Sequence, residues 1–231
     1  MVGQPLPVPQ GGRGLGRRET RVRRSTATDM PPSASLQSRS APAPGLSARS
    51  ARPWAAGLNL LANQAVWFLC ILGAAGGFAV WGSVAAAALV GVHLAMSTRR
   101  AREAALVVAA IALGGLFDTA WLATGWVHYT SGQWHPGLTP HWMLALWAAF
   151  ATSLNLSMRW LQARWGWAAV IGAAGGVLSF RAGAALGAAQ VAGGWAAWAA
   201  LALGWAVVLP LLCRVAAWAA TPVAGARGGA A

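Results

Sequence analysis

Between Ala104 and Thr124 the chain reads AALVVAAIALGGLFDTAWLAT, 21 residues in which Asp118 is the single ionisable side chain. At about 1.5 Å per residue, a helix of that length crosses a hydrocarbon core of about 30 Å. A charged carboxylate at such depth costs about 3 kcal/mol or more, so it must face protein or water rather than lipid. Five further apolar runs accompany this one, giving six in all: 58–75, 78–96, 104–124, 141–158, 167–187 and 195–218. The pattern predicts an all-α fold, a polytopic membrane helix bundle of about six transmembrane helices.

Composition supports the class. Only 9% of residues are charged, against about 25% in a soluble domain. Lipid removes the hydrophobic effect between helices, so close backbone approach matters, and 29 Gly with abundant Ala permit it. The net charge of +13 suggests nucleic acid at first sight, but its distribution excludes that reading. All 17 basic residues are Arg, nine lie before Trp54, and most others flank the apolar runs. That is the pattern of a positive-inside membrane protein. Membrane lipids are therefore the expected partners, with other membrane proteins second and nucleic acid not at all.

The same arithmetic predicts topology. The basic tail, Arg99, Arg100, Arg102, Arg159, Arg164 and Arg227 all collect on one side, and the connections around 76–77, 125–140 and 188–194 contain no Arg. Six spans with both termini cytoplasmic (N-in/C-in) satisfy the rule at every loop. Residues 1–53, rich in Arg, Pro and Ser, bury too little apolar surface to offset their ordering entropy and are expected to be disordered. Three origins stay open for them: a cytoplasmic tail, a start placed too early with translation beginning nearer Met30 or later, and a transit peptide. The expected domains are that tail, a transmembrane domain at 58–218, and a disordered tail at 219–231.

Several stretches carry a resemblance: Asn59–Ala75 (NLLANQAVWFLCILGAA), Glu103 with Asp118 in one helix, His141–Trp160 (HWMLALWAAFATSLNLSMRW) and Gly172–Ala188 (GAAGGVLSFRAGAALGA). Over about residues 57 to 190 the chain resembles a family of small bacterial inner-membrane proteins, domain-of-unknown-function family 2878. Val177 and Phe180 stand where the family pattern has a Pro and a Tyr. The family brings no assigned activity; the resemblance implies a lipid-related role.

Asp118, Arg181, Glu103, Asn63, His93 and Asn155 are the candidate functional residues. Asp118 reads either as a proton or cation relay or as a satisfied carboxylate that fixes packing. Arg181 is its expected partner, because both lie about 14 residues from the inner ends of their helices. Against the pair, Arg181 points away from the small-residue stripe Gly172, Gly176, Gly183 and Gly187, which leaves snorkelling to the interface as its alternative. Asn59, Asn63, His93, Glu103 and Asn155 gather at the inner face, either lining a cavity or acting as interhelical hydrogen bonds and caps. His128, His135 and His141 lack metal-site spacing, Cys70 and Cys213 read as small packing residues, and no metal or cofactor is expected. Nucleotide, hydrolase and metalloprotease motifs are missing from the sequence. The expectation is a non-enzymatic, lipid- or envelope-associated membrane protein. A small-solute or proton-coupled transporter using Asp118 and Arg181 is the main alternative, and a lipid-modifying membrane enzyme the third.

Overall fold

A computed structural model describes residues 53–221 of the chain. The expectations for the N-terminal tail up to residue 52 and for 222–231 lie outside the described residues. Within them are six α-helices: α1 (Pro53–Ala75), α2 (Ala79–Met96), α3 (Arg100–Ala123), α4 (His141–Leu154), α5 (Trp165–Ala185) and α6 (Gly194–Ala220). A single 3-10 turn, Arg159–Leu161, lies between α4 and α5. The outermost helices run past the expected limits of 58 and 218. Proline at the first position of α1 is well placed, because its missing N–H is one no helix uses there.

Five of these helices are long and apolar enough to cross a membrane. The sixth, α4, has 14 residues and spans only about 21 Å. The run expected at 141–158 therefore breaks at Leu154. Side-chain oxygens of Thr152 and Ser153 turn back to the carbonyls of Ala149 and Phe150, and the chain then unwinds through Asn155 and Ser157. Such back-bonding competes with the helix and favours its end.

The all-α expectation needs one correction. The loops at 124–140 and 186–193 pair as a two-stranded antiparallel ribbon, β1 (Val127–Tyr129) against β2 (Ala189–Val191), with His128 opposite Gln190. Three residues per strand give no readable alternation, whereas the ribbon satisfies loop backbone that would otherwise be buried unpaired. It also fixes the direction of Tyr129.

Helix pairs pack where one side lacks a Cβ. At Gly114 and Gly176 an added Cβ would overlap the rings of Trp147 and Trp205 respectively, and at Gly82 it would meet the backbone of Cys70. The small-residue stripe of α5 thus faces α6 through Gly172 and Gly176, and faces α1 through Gly183, whose Cβ would lie 3.4 Å from Ile71. Pro210 lies buried inside α6, which continues through it.

Candidate functional site

Asp118 is wholly buried in the C-terminal half of α3. Its two carboxylate oxygens accept from different elements: Oδ1 from the Tyr129 hydroxyl at 2.9 Å and Oδ2 from the Trp147 indole N–H at 2.6 Å. The carboxylate thus ties α3 to β1 and α4. Burial first, and then the neighbouring carboxylate, raise the Tyr129 phenol above its ordinary value, so it stays a donor. Nearby, Thr139 donates to the Gly115 carbonyl and lies 2.8 Å from the Thr119 hydroxyl, fastening the end of the loop before α4 to α3.

The expected Asp118–Arg181 ion pair is absent among the described residues. Arg181 is exposed on α5, with its guanidinium 5.8 Å from the centre of the Trp198 ring in the first turns of α6. Spacing along the chain carried depth alone: the guanidinium extends instead to the aromatic face of Trp198 on α6.

The polar residues expected at the inner face do come together, in two groups at the C-terminal end of α4. Glu103 takes 2.9 Å from the Asn155 amide through Oε1 and lies 3.2 Å from His93 Nε2 through Oε2. Gln162 donates to Asn155 Oδ1 at 2.7 Å and caps the Leu154 carbonyl. In the second group Asn59 and Asn63 both donate to the Thr152 hydroxyl oxygen at 3.2 Å, and Ser157 donates to Asn59 Oδ1. Of these bonds, the one from Gln162 satisfies a carbonyl that α4 leaves open by stopping early, and the others tie the end of α4 to α1, α2 and α3. The three histidines have separate partners: His128 the Gly125 carbonyl, His135 the Gly137 N–H, and His141 the Ser83 hydroxyl at 2.7 Å.

One feature carries no signal in the sequence. A groove of about 670 Å³ runs between α1 and α5, floored by α4 and α6. Its rim is exposed on both flanks, at Leu60, Gln64 and Phe68 of α1 and at Gly175, Leu178 and Leu186 of α5. Short α4 recesses the floor, and Gly172, Gly175 and Gly176 keep the α5 wall thin. One hydrogen bond crosses the groove, from the Trp67 indole to the Ser179 hydroxyl at 2.9 Å. Tyr129 and Trp147, the two donors to Asp118, line its inner surface, and Trp147 stacks on Trp205 at 4.9 Å. Of the candidates chosen from sequence, only Asn63 reaches it. Groove residues carry no helical-wheel signal of their own, because an apolar side chain facing a cavity reads the same as one facing lipid.

Arg214 also went unassigned in the sequence, although it interrupts the last apolar run. It is exposed near the C-terminal end of α6 and lies 4.7 Å over the Trp165 ring. Comparison with known proteins adds one finding. No curated protein and no solved structure matches this chain. A family model described as "Protein of unknown function (DUF2878)" matches residues 57–211, a span that takes in the groove, the buried carboxylate and both inner polar groups, and the chain belongs to that family.

Proposed function

We propose that this chain is a six-span protein of a bacterial inner membrane, with both termini cytoplasmic, that holds the acyl chain of a membrane lipid in the groove between α1 and α5. The groove itself carries the reading. Its volume lies within the range of small-molecule sites, about 300–1,000 Å³, and its lining is mostly aromatic, aliphatic and glycine, with a few uncharged polar side chains. Its long opening faces the side of the bundle, where lipid tails lie, so a chain enters without crossing a polar barrier. Six spans are supported by the alternation of Arg-bearing and Arg-free connections, with α4 as a short sixth crossing.

The transporter alternative has lost its expected ion pair, and both oxygens of Asp118 are engaged by neutral donors. The lipid-modifying alternative rests on the inner polar residues, whose hydrogen bonds are used in closing α4.

The test exploits Gly175, where an added Cβ meets open space within 4 Å. Gly175→Phe should fold normally and fill the groove. Full-length protein in lipid nanodiscs is irradiated with a phosphatidylcholine whose acyl chain carries a diazirine, and adducts are mapped by mass spectrometry. Adducts on Phe68, Leu146 or Leu178 in the wild type, reduced several-fold by Gly175→Phe, support the reading. An adduct pattern spread evenly over all lipid-facing helices and indifferent to Gly175→Phe rejects it.

A further inference from the structure

The groove is apolar except at a few uncharged groups. Its lining contains no Asp, Glu, Arg or His; its polar side chains are Asn63, Gln64, Ser153, Ser179 and Tyr129. Four of these are already engaged: Asn63 donates to Asn59 and Thr152, Ser153 to Phe150, Tyr129 to Asp118, and Ser179 accepts from Trp67. Gln64 differs. It is exposed on the rim, and its carboxamide has no hydrogen-bond partner among the described residues. It lies 11 residues into α1, about 16 Å along a helix of about 34 Å, well inside the apolar run. Water does not reach that depth on a lipid-facing surface, so an unpaired amide there is costly.

A second unmet group lies on the floor of the groove. The indole N–H of Trp205 is buried and has no acceptor among the described residues. Trp205 is 11 residues into α6, so it too belongs to the middle third of its helix. Gly172 and Gly176 hold it in place, with its ring stacked on Trp147. The groove thus combines an apolar wall, no charge, and two unsatisfied neutral groups at mid-depth.

We infer that the groove selects a lipid chain bearing an uncharged oxygen, a hydroxyl or a carbonyl, part-way along its length, and that Gln64 recognises that oxygen. The inference rests on the groove's holding an acyl chain. The absence of charge excludes a carboxylate or phosphate at this depth, which would need an Arg or His beside it. A plain alkyl chain would leave Gln64 without a partner. A carboxamide both donates and accepts, so it can satisfy either a hydroxyl or a carbonyl.

A competition experiment tests this with the full-length protein in phosphatidylcholine nanodiscs. A monoacylglycerol with a diazirine in its chain is the probe, and its groove adducts are counted by mass spectrometry. The competitors are octadecanoyl glycerol and its mid-chain hydroxylated counterpart. In the wild type the hydroxylated chain should compete about three- to tenfold better, the worth of one hydrogen bond. In Gln64→Leu the ratio of the two potencies should fall to about one. Groove adducts with equal competition in the wild type would overturn the inference and leave the acyl-chain groove standing. No groove adducts from any chain would overturn both. Cross-linking of Gln64→Cys to a second copy, with no lipid adduct nearby, would assign the amide to a subunit interface and equally end the proposal.

Discussion

At the scale of residues, Asp118 is held by two neutral donors rather than by a cation. Removing either donor leaves one carboxylate oxygen unsatisfied in the interior, which costs about 1–3 kcal/mol. Tyr129→Phe removes one donor, and Asp118→Asn sets an amide N–H where an oxygen accepted, so each should destabilise the protein in detergent by roughly that amount. Their double mutant should lose less than the sum, because once the bond is gone the second change removes nothing further from it. Arg181 makes the contrasting case. Arg181→Gln gives up an exposed cation–π contact worth about 0.5–1 kcal/mol, and its effect should add to that of Asp118→Asn. Thermal unfolding of the single and double mutants measures both cycles. Coupling between Asp118 and Arg181, with additivity between Asp118 and Tyr129, would contradict the carboxylate's partners as described.

Among the elements, α4 decides the architecture. It is about 9 Å shorter than a hydrocarbon core of about 30 Å, and both ends are supported by side chains from other helices. At its centre Trp147 lies in the space left by the missing Cβ of Gly114. Gly114→Ala should push α3 and α4 apart and cost about 1–3 kcal/mol, since the ring is wedged between Phe117, Phe150 and Trp205 and has nowhere to move. Gly175→Ala, on the open side of α5, should be neutral or stabilise by up to about 1 kcal/mol, because Ala is the better helix former. Melting temperatures of the two variants give the comparison. Equal effects would mean that helix propensity rather than close approach governs these glycines.

For the whole molecule, sidedness is the property on which every functional reading depends. Thr98, between α2 and α3, and Gly137, in the long loop before α4, are both exposed and fall on opposite sides in the six-span arrangement. Gly137 tolerates a side chain, with His135 at 3.6 Å as the nearest neighbour of its Cβ; Gly132, with φ of +82° and Trp142 against it, does not. In intact cells Gly137→Cys should react with a membrane-impermeant maleimide. Thr98→Cys should react only after lysis, while the native Cys70 and Cys213, both buried, stay silent. The reverse labelling would invert the topology and with it the orientation of the groove in the bilayer.

The sequence alone determined the class of structure. Apolar runs of membrane length, the scarcity of charge within them and the concentration of the remaining Arg in the N-terminal tail and alternate loops are one-dimensional signals that lipid enforces. The depth of Asp118 and Arg181 along their helices was equally legible, because rise per residue is fixed. The gathering of His93, Glu103 and Asn155 at one end followed from the same counting. What the sequence left open was rotation about each helix axis and the distance between helices. In a chain whose lipid face and core face are equally apolar, amphipathicity does not mark the inward side. Arg181 therefore met Trp198 instead of Asp118. Tyr129, a loop residue with no periodicity around it, reached the carboxylate only because two three-residue strands paired. The groove exists because one helix stops a turn or two short while two others stand apart, and that is a relation between elements which no single stretch of the chain encodes.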